Sequence, residues 1–515
     1  MSRRLPLRLH PVVVAALGAL AYLVIQPASA DLAAQEYRAG LVRRAGLALW
    51  DNGWYAGHHT AAYSVLFPPL GAALGVGLAG ALAAIAATAL FARLAGRRWA
   101  AGPAQAAALW FAAATVATLL SGRLTFLLGA AVGLGALLAL AAGRRVAAVA
   151  LAVLTTLASP VAALFLALAV VAWGLAAPGR RPTAAIVAAA ALAPAAALAL
   201  LFPEGGSEPF VASAFWPALA AIVLVGVLLP ARERALRIGA GLYALATVAA
   251  FAFATPLGGN VSRLGALVAG PVVLGALAGR RRPALLVAIA LPLAYWQLYP
   301  AVRDVARAAG DPAVAAAYYA PLLRDLAARA PQDVRVEIPF TENHWEAARV
   351  APHVALARGW ERQLDRRYGA LFYDGTLSAA TYRRWLDEHA VAYVALPDAA
   401  LDYAARDEAR LVERGPAYLH QVWHDAHWRL FAVRDPAPLV SGAARGPLEL
   451  GVDGFTLRAR RPGSAVVRVR DSRWWRVTAG RACVAPGPDG MTRLRVLAPG
   501  TVRVQARLSG ARCRR

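Results

Sequence analysis

The 515-residue chain has little charge, almost no sulfur and no lysine. Charged residues are 16% of it, where a soluble domain carries about a quarter, so an ordinary soluble globular protein is excluded. Only two cysteines are present, and no CxxC pair. A Walker A sequence is also missing, which argues against ATP chemistry, and no nucleophile elbow is present for serine-hydrolase chemistry. Ten-residue segments of alternating polarity, the mark of a membrane barrel, do not occur. With lysine absent, all 54 basic residues are arginine and the formal charge is +25. No nucleic-acid partner is inferred from that charge, because its distribution points elsewhere.

What is present is apolar: 59% hydrophobic residues and a mean hydropathy of +0.50. A run of about 20 such residues crosses a hydrocarbon core of roughly 30 Å as a helix, and helix or closed barrel alone satisfies the backbone there. Eleven candidate spans follow, at 11–30, 64–92, 101–121, 124–142, 146–158, 161–177, 183–203, 213–230, 238–255, 262–279 and 283–300. The fifth and sixth are read as a hairpin breaking at Ser159-Pro160, since a residue before proline resists helix; a single tilted span over 146–177 is the alternative. With the N-terminus inside, the inner loops hold sixteen arginines, among them Arg97, Arg98, Arg144, Arg145 and Arg280–Arg282. The outer loops hold five: Arg38, Arg43, Arg44, Arg123 and Arg263. That is the positive-inside bias. Acids run the other way: Asp31, Glu36, Asp51, Glu204 and Glu208 lie outside and only Glu233 inside. The expected location is a plasma membrane, multi-pass, with a cytoplasmic N-terminus and an extracytoplasmic C-terminal part. The start, "MSRRLPLRLH" with "ASA" before Asp31, also reads as a cleavable signal peptide.

Beyond residue 300 the periodicity changes. Residues 301–437 alternate strands ("VRVEIPF", "VAYVALP") with a helix ("SAATYRRWLDEHA"), an α/β pattern. From 438 the period is two, cut by Gly and Pro, as in a β-sandwich. The fold class is therefore a polytopic α-helical membrane protein with a C-terminal extracytoplasmic α/β plus β-sandwich domain. Cys483 and Cys513 both fall there, where an oxidising compartment favours a disulfide between them.

Chemistry concentrates in the outer loops. Asp31 opens the loop 31–63 as a helix N-cap candidate, and "DLAAQEYRAGLVRRAGLALW" has the mixed pattern of an interfacial helix. The stretch "DNGWYAGHH" follows, with Asp51, Trp54, Tyr55, His58 and His59. Its aromatics suit the headgroup level, and its histidines suit an anionic headgroup or phosphate. The same face receives Glu204 from "FPEGGSEPF", Arg123 from "SGRLTF", and Asn260 and Arg263 from "TPLGGNVSRLG". Arginine takes phosphate bidentately, and a carboxylate takes the proton of an attacking hydroxyl.

An acid directly after the first span, a long outer loop with an interfacial helix, many spans and an outer C-terminal domain resemble the GT-C superfamily of integral-membrane glycosyltransferases. The chain also resembles uncharacterised actinobacterial polytopic membrane proteins. The GT-C resemblance implies transfer of a sugar from a polyprenyl-phosphate carrier to a glycan or lipid acceptor at the outer leaflet. It implies Asp31 as catalytic base and Arg263 at the donor phosphate; Glu36, Asp51, Trp54, Tyr55, His58, His59, Arg123, Glu204 and Asn260 are substrate-binding candidates from their place in the outer loops. It leaves room for a divalent metal, without a cofactor being assigned. The paired acidic motif is missing: the sequence is "DLA", and Glu36 comes five residues later.

Plainer readings stand beside these. Asp31 is also a helix cap, the aromatics an interface belt, the histidines solvated loop residues and Arg263 a helix-end charge. Trp474 and Trp475 read as sandwich core before sugar platform, and "ENHWE" lacks the spacing of a zinc helix. Two other function classes remain: an envelope transporter or lipid flippase, and a non-catalytic envelope-assembly protein. Ionisable residues within spans would mark a transport path, and essentially none occur.

Overall fold

The computed structural model describes residues 10–277, 283–329, 334–509 and 513. The chain divides into two compact units. The first comprises Met1–Gln35, Ala62–Pro203 and Ser207–Ala309; the second comprises Glu36–Ala61, Glu204–Gly206 and Gly310–Arg515.

The first unit is helical: α1 (Pro11–Ile25), the start of α2 (Ala30–Ala45), α3 (Phe67–Leu74), α4 (Val76–Arg98), α5 (Ala101–Leu120), α6 (Leu124–Ala141), α7 (Arg145–Ala158), α8 (Pro160–Leu175), α9 (Arg181–Leu201), α10 (Ala212–Leu228), α11 (Arg234–Ala252), α12 (Arg263–Leu277) and α13 (Pro283–Ala309). Among the described residues seven helical segments are long and apolar enough to cross a membrane: α4, α5, α6, α9 with the turn before it (Pro178–Leu201), α11, α12 with the 3-10 turn before it (Gly258–Leu277), and α13. The bent pair α1 and α2, at 78°, would make an eighth. Each expected span meets a helix, but the count of eleven is not reached on length. At 1.5 Å per residue α7, α8 and α10 are about 21–26 Å long, short of the roughly 30 Å core. Arg280–Arg282 lie outside the described residues.

Packing here is inverted relative to a soluble protein. Buried positions are small, as with Ala84 and Ala87 on α4 and Ala107, Ala108 and Ala112 on α5. Leu78, Leu82, Ile186, Val227 and Leu245 are exposed. Small residues let helix backbones approach where burial against lipid gives no hydrophobic gain. At Gly129 a Cβ would come within 2.7 Å of the Ala162 and Ser159 side chains, so α6 and α8 require glycine there. The break before α8 lies at Ser159-Pro160. Ser159 is extended and its hydroxyl caps the Ala162 amide at 3.3 Å. The carbonyls this leaves at the end of α7 are taken by the 64–66 segment: Val65 and Leu66 amides donate to Leu157 O, and the Ser64 hydroxyl donates to Ala158 O at 2.7 Å. Glu233, the acid expected on the inner side, is buried and paired with Arg98.

Among its described residues the second unit holds a two-stranded ribbon, β1 (Trp50–Asp51) with β2 (His58–His59), and three four-stranded sheets. One is mixed, in order β3 (Arg335–Glu337), β4 (Val391–Pro397), β6 (Trp428–Val433), β5 (Leu419–His424), with β3 and β4 parallel. The other two contain β7 (Val440–Gly442), β8 (Leu448–Leu450), β9 (Gly454–Ala459), β10 (Gly463–Arg470), β11 (Trp475–Ala479), β12 (Ala482–Pro486), β13 (Met491–Val496) and β14 (Gly500–Ala506). Their orders are β12-β13-β10-β7 and β11-β14-β9-β8. They share a core of Leu457, Val467, Val484, Leu494, Val504 and the fully buried Trp475. Cys483 on β12 is disulfide-bonded to Cys513, with Cα atoms 4.8 Å apart. The units do not divide at residue 300, because α13 runs on to Ala309 and segments 36–61 and 204–206 pack with the C-terminal sheets.

Candidate functional site

In the first unit three of the expected residues meet. Asp31 lies in the first turn of α2, one residue inside its start at Ala30, so it is not the cap expected of it. Its Oδ2 is 3.6 Å from Arg123 Nε and 3.6 Å from Arg263 Nη2. These are loose ion pairs beyond hydrogen-bond length, and they leave the Arg123 Nε–H buried without an acceptor among the described residues. The carboxylate is about one-third exposed and so open to a ligand. Two guanidiniums facing one carboxylate leave a net positive centre. Burial, then the like charge of Arg263, lowers the Arg123 pKa, while Asp31 opposes this.

The backbone places each side chain. Arg123 follows Gly122, whose φ of +72° suits glycine. A Cβ at Gly122 would come 2.5 Å from Ser29 Oγ and 2.7 Å from the Leu32 amide, so the turn abuts the start of α2. Arg263 opens α12 after a 3-10 turn, Gly258–Ser262, which carries the half-buried Asn260. Tyr243 anchors that junction, donating to Val261 O at 2.8 Å and accepting from the Gly265 amide at 3.0 Å. The Arg263 guanidinium lies 6.0 Å over Phe126, one turn beyond Arg123.

Several residues here had no motif to announce them. Gln35 lies four residues after Asp31, on the same helix face. Its amide donates to Tyr63 Oη at 3.4 Å, and its Oε1 is buried without a partner among the described residues. Thr125 also donates to Tyr63 Oη, at 3.4 Å. The i,i+4 spacing was the available signal. Glu36 is five residues on, roughly 140° around the helix from Asp31. It is half-buried, and burial raises its pKa against Arg43 and Arg349. Asp31 and Glu36 therefore do not form a side-by-side acidic pair. Among the described residues no group of three His, Cys, Asp or Glu is placed to hold a metal ion.

The second unit gathers the other expected residues, inside rather than at a surface. Asp51 accepts both contacts of the Tyr37 hydroxyl, at 3.0 and 2.9 Å, and the Gly53 amide at 2.9 Å. Trp54 stacks on Tyr37 with centroids 4.1 Å apart and donates to Ala347 O. Tyr55 donates to Gly359 O at 2.6 Å. Tyr55 and Ala56 have φ of 57° and 61°, strained values for residues with a Cβ. Arg470 holds this bend: its Nε donates to Tyr55 O at 2.7 Å and its amide to Ala56 O at 2.9 Å. His58 is buried against the Trp54 and Tyr55 rings, with Nδ1 3.8 Å from Asp51. His59 is buried too: Nδ1 meets Glu204 Oε1 at 2.5 Å and Nε2 meets Ser472 Oγ at 2.9 Å. Glu204 also accepts the His59 amide. Burial pushes the Glu204 carboxyl up, but its hydrogen bond to His59 and the His59 charge outweigh this and hold it below the usual range. The two histidines expected at a phosphate, and Glu204 expected to bind substrate, are thus taken up by contacts within the fold.

No protein-family model matches the chain, and no curated protein matches it. Among solved structures it is similar to the single-particle cryo-EM structure of arabinofuranosyltransferase AftD from mycobacteria. The TM-score is 0.47 at 16% identity, over 98% of this chain and 57% of that one.

Proposed function

We propose that the chain is a GT-C-like glycosyltransferase that moves a sugar from a polyprenyl-phosphate carrier to an envelope glycan or lipid acceptor at the outer leaflet. The observation that carries this reading is the Asp31–Arg123–Arg263 constellation, with both guanidiniums 3.6 Å from one exposed carboxylate. It belongs to a unit of apolar helices suited to a lipid-linked substrate. Arg123 and Arg263 take the donor phosphate by charge-assisted hydrogen bonds, which draws them off Asp31. The freed carboxylate accepts the proton of the acceptor hydroxyl. The acceptor oxygen then bonds to the anomeric carbon as the bond from that carbon to the phosphate oxygen breaks. Polyprenyl phosphate leaves with the electron pair, its charge held by the two arginines. In this reading His58, His59, Asp51 and Glu204 shape the second unit, and the sheets of that unit engage the acceptor. The N-terminus is cytoplasmic and the second unit extracytoplasmic.

The test is transfer from a panel of radiolabelled polyprenyl-phosphate sugars by the purified chain in lipid, with Asp31→Asn alongside. Release of polyprenyl phosphate with a labelled glycan, lost in the folded variant, is expected. Lipid movement across the bilayer without bond cleavage would replace the reading with a flippase. Neither turnover nor movement would leave an assembly protein.

A further inference from the structure

The second unit contains a guanidinium with no counter-charge within ion-pair distance among the described residues. Arg335, on β3, is 0% exposed. Its Nη1 donates to His389 O at 2.9 Å. Its Nε and Nη2, the two parallel donors along one edge of the fork, are buried with no acceptor among the described residues. No carboxylate there lies within ion-pair distance of it. The charged groups that act on it are Arg470 and Arg468, both of its own sign, and burial with these two lowers its pKa to about 9. Arg468 and Arg470 are two apart on β10, on the face opposite the buried Val467 and Val469.

His389 does not supply the missing charge. Its Nδ1 is 2.9 Å from Trp385 O, a carbonyl that can only accept, so Nδ1 carries the proton. Its Nε2 then accepts from Arg470 Nη2 at 3.0 Å. The ring is neutral, and burial and then Arg470 hold its pKa well below the usual histidine range. The cluster is therefore three arginines and a neutral histidine, with no acid within ion-pair distance of any of them among the described residues; Glu204 and Glu388 act on Arg470 from farther away. A buried charge without a counter-charge, and two buried N–H donors without acceptors, are both strongly disfavoured.

We infer that the free Nε and Nη2 edge of Arg335 binds a small monovalent inorganic anion, of halide size, enclosed between β3, His389 and β10. Two parallel N–H donors converge on one such acceptor, and the neighbouring guanidiniums add field of the favourable sign. The anion also bears on the ribbon of the first outer loop. Arg470 touches the same histidine, and its Nε holds Tyr55 O at the strained bend. This inference does not depend on the transferase reading.

The experiment uses the full chain in lipid with bromide as probe. Crystals soaked in sodium bromide should give an anomalous peak within hydrogen-bonding reach of Arg335 Nε and Nη2. Thermal unfolding should occur several degrees higher in about 0.5 M bromide than in equal methanesulfonate, an anion too bulky for an enclosed site. Arg335→Met should abolish that difference. A water or a protein oxygen on those nitrogens, with bromide only elsewhere, overturns the inference. Wild-type unfolding that is equal in the two salts also overturns it. If Arg335→Met does not fold, the wild-type diffraction result decides alone.

Discussion

At the scale of single residues, function rests on small differences in company. Asp31 and Asp51 are both outer-loop aspartates in the sequence. Asp31 keeps an exposed face beside two arginines, whereas Asp51 is closed in by Tyr37 and Gly53. Asp31→Asn should cut sugar transfer by about 10²-fold or more, while donor binding, measured with labelled lipid, changes little. Arg123→Ala and Arg263→Ala should each weaken donor binding by roughly tenfold to a hundredfold, as loss of a charged hydrogen bond does. Glu204 bears on stability instead. Its folded-state pKa lies below the ordinary value, so its contribution is complete above the ordinary carboxylate range and is lost as pH falls through it. Glu204→Gln should remove that acid-side loss in a pH series of unfolding, read through tryptophan fluorescence, because Trp50 sits edge-on to His59. The buried Glu408 has the opposite sign. Burial pushes its pKa up to about 7, so the folded state loses stability as pH rises from the ordinary carboxylate range toward 7.

At the scale of elements, the breaks matter more than the helices. Gly122 is where α5 hands over to α6 and where Arg123 is aimed at Asp31. Gly122→Ala adds a Cβ that meets the Leu32 amide at 2.7 Å in a left-handed conformation. It should lower transfer at least tenfold with the helix content by circular dichroism unchanged. At the α7–α8 junction, Ser159→Ala removes a cap worth about 1 kcal/mol and should lower the unfolding temperature without touching donor binding. The sequence shows both positions, through "SGR" and "SP", because glycine and proline announce backbone breaks directly. The ribbon "DNGWYAGHH" was visible as a polar interruption, but its direction was not. Trp and His suit a headgroup surface and a packed interior equally well, and Trp54 and His58 became interior only because the Ala347 and Gly359 carbonyls and the Arg470 side chain meet that bend.

At the scale of the whole molecule, the arginine bias predicts a side for each part. On the proposed topology a phosphatase reporter fused after Arg515 should be active and one fused in the Arg144–Arg145 loop inactive. The reverse result would invert the topology and put the Asp31 site on the inner face. Reducing the Cys483–Cys513 disulfide, which closes a separation of 30 residues, should destabilise the second unit by on the order of 3 kcal/mol. Apolar runs, Gly-Pro breaks and the change to period-two alternation made the helices and the sandwich legible, because each is a local property of solvent and backbone. The grouping of Asp31 with Arg123 and Arg263 was legible only as a shared side of the membrane. Residues 31, 123 and 263 are far apart in the chain, and only packed helices bring their charges within 3.6 Å. The number of helices long enough to span was decided by where each helix ends, which depends on caps and neighbours. Whether His58, His59 and Glu204 face a ligand or one another was likewise decided by the tertiary structure alone, since burial depends on which distant segments cover a residue and its own sequence does not carry that information.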